Sequence, residues 1–62
     1  NKKILIAEVK FKILTERDIH GIRHNLKEMA KKINTFEFEE QFIIVCLGYD
    51  GKAEGIDVIS VQ

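Results

Sequence analysis

Proline is absent from this chain, and no Gly/Ser-rich linker, internal repeat or low-complexity segment interrupts it. Nothing marks a boundary between domains, and 62 residues suffice for only one. Cysteine occurs once, at Cys46, so an internal disulfide is excluded. A lone cysteine inside an apolar run reads as a small core residue, and so low a cysteine content fits a reducing cytoplasm. Long hydrophobic runs are also missing. The longest unbroken one, Phe42 to Leu47, is far too short to cross a membrane as a helix. No signal peptide is visible, because Lys2-Lys3-Ile4 leads into a segment broken by Glu8 and Lys10. The chain opens on Asn1 rather than methionine and stops at Gln62 directly after strand character, as a piece of a longer domain would.

What is present is charge, balanced overall and uneven along the chain. Residues 1–33 carry nine Lys/Arg against four Asp/Glu, a balance of +5. Residues 34–62 carry one Lys against six acids, a balance of −5. Such asymmetry marks either an anionic partner for one face or a helix with a solvated basic side.

The periodicities define four elements. From Lys3 to Leu14, Leu5, Ala7, Val9, Phe11 and Ile13 alternate with Glu8, Lys10 and Lys12. That period of two predicts a half-buried strand, and Ile4 and Ile6 on the other face predict that its start is covered on both sides. Thr15 then stands as a helix N-cap, with Asp18 where a capping box prefers Glu. Ile19, Ile22, Leu26, Met29, Ala30 and Ile33 recur at steps of three and four, an amphipathic helix ending near Asn34. Strand character returns from Phe36 and becomes apolar on both faces after Phe42. Asp50-Gly51 predicts a hairpin turn into a partner strand from Ala53 to Val61, with a bulge at Gly55. The expected fold is α+β, ordered β-α-β-β: a three-stranded sheet with one helix on one face. Its other face then has nothing in this chain to cover it, which asks for a missing second half or a second copy.

Candidate sites are sparse. His20 and His24 are spaced i, i+4, which would let two imidazoles share a metal. A metalloprotease helix needs Glu after the first His, and Gly21 stands there. With no third ligand evident, the pair also reads as solvated surface histidines. Arg17, Arg23, Lys27 and Lys31 lie on one side of the helix and could meet an anion or nucleic-acid phosphates. No aromatic residue interleaves with them, so base stacking is unsupported. Glu37, Glu39 and Glu40 cluster at the entrance of the apolar strand, where a carboxylate could act as a general base or simply meet solvent. There is no Ser/His/Asp arrangement and no Gly-rich phosphate loop.

Glu40-Gln41-Phe42-Ile43-Ile44-Val45-Cys46-Leu47 resembles the opening strand of RadC-like JAB domains, of the JAMM metalloprotease-like superfamily. That family reads Glu-x-Phe, an apolar strand, a short turn, then a strand of the type x-Gly-x-x-x-Val-Ser-x-Gly. Here the turn is Tyr49-Asp50-Gly51-Lys52 and the second strand runs from Gly55 through Val58 and Ser60 to Val61. The helix opening at Leu14-Thr15-Glu16-Arg17-Asp18 and the strand before it have counterparts, but the specific likeness is confined to Glu40–Val61. The resemblance implies that Glu40 matches the strand-entry glutamate, the general base acting on a zinc-bound water in JAMM enzymes. It also implies a context related to DNA repair. The His-x-His and downstream Asp that bind zinc in that family have no counterpart, and Gln62 stands near where the family has Gly. No catalysis and no cofactor are therefore expected of these residues, with zinc expected only in a longer parent. The reading that follows is a non-catalytic interaction domain, self-associating through its sheet. Two others stay open: an accessory module of phage or plasmid type binding protein or nucleic acid through the basic helix, and part of a zinc-dependent JAMM hydrolase whose metal half is absent.

Overall fold

The computed structural model describes residues 2–61. Its elements are β1 (Lys3–Leu14), α1 (Glu16–Ile33), β2 (Glu39–Tyr49) and β3 (Asp57–Ser60). They form the α+β arrangement expected from the periodicities: a three-stranded sheet in the order β1-β2-β3 with one helix on one face.

Helix α1 starts where the chain offers its own cap. The Thr15 N–H donates to Asp18 Oδ2 at 2.9 Å, and the Asp18 N–H donates to Thr15 Oγ1 at 3.2 Å. The capping box is thus complete although Asp, one methylene shorter, replaces Glu. At the other end the Asn34 N–H closes on the Ala30 carbonyl at 2.8 Å. The Asn34 carboxamide then grips the backbone of Phe38 twice, donating to its carbonyl at 2.8 Å and accepting from its N–H at 2.9 Å. This clamp, with Glu37 at φ 55°, replaces the strand start expected at Phe36. β2 begins only at Glu39, and Phe36 stays 76% exposed, stacked on Phe38 with ring centroids 5.5 Å apart.

The hairpin expected at Asp50-Gly51 does not form. β2 and β3 are parallel, with Ile43 opposite Asp57 and Val45 opposite Ile59. A parallel neighbour has to start near the same end of the sheet, so residues 50–56 run back along β2 on the helix side. Seven extended residues reach about 23 Å, enough for the roughly 20 Å between Tyr49 and the level of Ile43. Burial of Ile56 in the core, with Ala53 packed beside it, favours this crossing over a tight turn. Its two glycines have positive φ and lie against the helix. A Cβ on Gly51 would stand 2.7 Å from Glu16 Cβ, and one on Gly55 2.8 Å from Arg23 Nε. Gly55 therefore belongs to the crossing rather than to a bulge. The irregularity in the sheet lies in β1, between Lys10 and Ile13.

The start of β1, expected to be covered on both sides, is buried only on the face of Ile6. Ile6 pairs with Phe42 and is buried beside it, whereas Leu5 and Val9 are 61% and 55% exposed. The side on which α1 lies decides this. Its stripe of Ile19, Ile22, Leu26 and Ala30 closes over Phe42, Ile44 and Cys46 of the central strand. Glu8 and Lys10 share that side, opposite Ile44 and Cys46, but β1 is an edge strand and lets their long side chains reach water.

Ile44, fully buried at the centre of this core, sets the stability. Ile44→Ala should cost about 2–5 kcal/mol, against a total of about 3–5 kcal/mol typical of so small a core. Denaturant unfolding should show little or no folded baseline for this variant. Gly55→Ala should cost about 1–2 kcal/mol from its left-handed backbone alone. Adding Arg23→Ala should recover only the part due to collision, which a double-mutant cycle measures.

Candidate functional site

The residues singled out as possible catalytic or ligand groups do not converge. Glu40 is exposed at the start of β2, where it accepts a hydrogen bond from Asn34 Nδ2 at 2.9 Å. It thereby extends the clamp between α1 and β2. His20 and His24 are exposed on α1. Among the described residues no group of three or more His, Cys, Asp or Glu is placed to hold a metal ion. Cys46 is buried, its thiol near the Gly48 carbonyl at 3.3 Å, a core position as its setting in the apolar run suggested.

The four basic residues divide. Arg17, Lys27 and Lys31 are exposed, and Lys31 pairs with Glu28 at 3.0 Å. Arg23 is instead drawn inward, its guanidinium laid against Gly55. Its Nε is buried without a hydrogen-bond partner, so this side chain serves helix–crossing packing more than an outward basic stripe. Beside it a cleft of about 380 Å³ opens between α1 and the crossing, lined by Glu16, His20, Arg23, Lys52 and Glu54 among others. Charges of both signs line it, so its electrostatics select no single class of ligand.

The larger feature is the sheet face turned away from α1. Register places Ala7 beside Ile43 and Val9 beside Val45, which in turn neighbours Ile59. Leu5 and Leu47 extend the same alternation. Polar groups enter from one end: Lys3 stands opposite Glu39, Gln41 beside Leu5, and Asp57, which accepts from Gln41 Nε2 at 2.8 Å, beside Ile43 on the β3 edge. Three strands spaced about 4.8 Å apart over the roughly 13 Å of the apolar rows give an apolar footprint of about 200 Å². The doubly apolar character of β2 was the sequence signal for this face. The exposed side of β1, which enlarges it, carried no such signal.

Two carboxylates on α1 titrate below their ordinary range. Asp18 is held low first by the Thr15 backbone N–H and then by the Thr15 hydroxyl, and Glu28 by its hydrogen bond and charge pairing with Lys31. A lowered folded pKa means stability that is fully present above the unfolded value and lost as pH falls through the folded one. The stability advantage of the native chain over Asp18→Ala should therefore be constant near neutrality and disappear in acid. An advantage that persists after the carboxylate is protonated would contradict the cap as its source. Thr15→Ala should cost about 1 kcal/mol at neutral pH in the same melts.

Comparison of the chain with models of protein families, with curated proteins and with solved structures gave no match.

Proposed function

We propose that this chain is a non-catalytic interaction domain that acts in the cytoplasm and self-associates through its sheet. The observation that carries this reading is the open apolar face of an all-parallel sheet. Parallel sheets are ordinarily covered on both faces, because their hydrophobic residues project to both sides. Here α1 and the crossing cover one side only, and the other carries Val9, Val45 and Ile59 in one row. On so small a domain an exposed apolar patch of this kind supports the reading of an interaction site. A second copy offers the same apolar rows and can cover them with Lys3, Glu39 and Asp57 left at the rim, so that no ion need be buried.

The resemblance to the N-terminal half of a RadC-like JAB domain gives this reading a frame. Within that frame a longer parent would supply the zinc ligands and Glu40 the general base, and these residues would be the scaffold beneath them. The intact mass and zinc content of the protein made from its own gene test the frame: a parent without metal removes it.

Sedimentation equilibrium tests the association itself. The average mass should exceed that of one 7.2 kDa chain and fall on dilution. Val45→Lys, at a half-buried position in the middle of the open face, should lower that mass at equal concentration while leaving the circular dichroism spectrum intact. A Val45→Lys protein with unchanged mass would remove the face from the proposal.

A further inference from the structure

The free edge of β1 and the flank of α1 above it are unfinished in the same place. β1 is an outer strand. The Lys2 carbonyl accepts from the Glu39 N–H at 3.1 Å and so turns toward β2. Backbone groups alternate sides along a strand, so those of Lys3, Leu5, Ala7 and Val9 turn outward with no strand beside them. The irregularity between Lys10 and Ile13, together with Lys10 and Lys12, blunts the far half of this edge. The stretch Lys3–Val9 is left regular and open.

The helix overhangs that stretch. α1 packs on β1 and β2. On its β3 side it is flanked by the crossing at Gly51 and Gly55. On its other side Asp18, Ile22 and Asn25 line a groove with Lys10, Lys12 and Leu14 of β1. Met29 continues that row by one turn and Ile33 follows it by another, and they are 49% and 52% exposed. Both belong to the apolar stripe, yet the sheet ends before it covers them.

We infer that two copies of this chain join through β1, antiparallel, with the twofold axis at Ile6. This rests on the self-association reading and names a second joint for it. The axis at Ile6 is the choice that pairs the whole regular stretch. Lys3 then faces Val9 of the second copy, Leu5 faces Ala7, and Ile6 faces Ile6. The six-stranded sheet so formed carries two helices on one side. Each helix is seated over β1 and β2, so one strand spacing of about 4.8 Å at the seam sets their axes about 10 Å apart. Packed helices lie about 8–10 Å apart, which brings Met29 and Ile33 of both copies together over the seam. On the opposite side the two apolar faces merge into one of about 400 Å², twice that of a single copy.

The test uses the Val45→Lys chain, in which stacking of faces is removed and only the edge can hold two copies. This chain should still sediment at two copies. Adding Ala7→Pro, which deletes an outward N–H that β2 does not use, should reduce it to one copy. Met29→Glu with Ile33→Glu should do the same without touching β1. In the two-copy form the amides of Leu5, Ala7 and Val9 should exchange with deuterium at least tenfold more slowly than in the dilute single chain. A Val45→Lys chain that sediments as single copies, or amides at Leu5 and Ala7 whose exchange is independent of concentration, would overturn the edge pairing while leaving the open face standing. An unchanged mass in Val45→Lys that falls with Ala7→Pro would remove the face and leave the edge. A native chain that stays single at every concentration would remove both.

Discussion

Closure of the α1 stripe over Phe42, Ile44 and Cys46 is the contact on which the rest of the structure depends. It decides which face of β2 is inside. Through the parallel register it then decides that Ile6 of β1 goes in and Leu5 and Val9 come out. It also fixes the route of residues 50–56, because Ile56 can reach the core only by running back beside the helix. Among the described residues no second core exists to hold the sheet if the helix lifts. The caps at Thr15 and Asn34 serve the same contact, since they set where the helix begins and ends along the strands.

The order of elements was legible because the signals for it are local. Period two in β1, the three-and-four spacing of Ile19, Ile22, Leu26 and Ala30, and the continuous run in β2 each depend on near neighbours in the chain. The direction of β3 was not legible. Asp50-Gly51 has the chemistry of a two-residue turn, and only the distant Glu16 and Arg23, against which Gly51 and Gly55 pack, make it part of a crossing. The single inner face of β1 is not legible for a related reason: apolar residues stand on both sides of its start, and only the helix selects the side that matches β2. The double clamp of Asn34 on Phe38 shows how one side chain can override the strand pattern of Phe36 and Phe38.

The candidate site residues have ligand chemistry without convergence. Glu40 is tied to Asn34 and Arg23 to the crossing, so two residues singled out for ligands are engaged in joining elements. What the sequence did indicate was an uncovered surface, through the apolar character of both faces of β2. Charge distribution follows the fold as well as the chain. The basic excess of residues 1–33 sits largely on α1 and β1, and the acids of residues 34–62 gather at the entrance of β2 and in the crossing. The molecule is therefore polar in the electrical sense although its net charge is zero.

The seclusion of Cys46 has a consequence of another kind. Its thiol lies under the helix stripe, 1% exposed, and no other cysteine competes with it. A thiol reagent reaches it when the helix lifts from β2, so the rate of labelling reports those openings. The chain thus carries an internal clock for its own breathing, placed at the contact that holds it together.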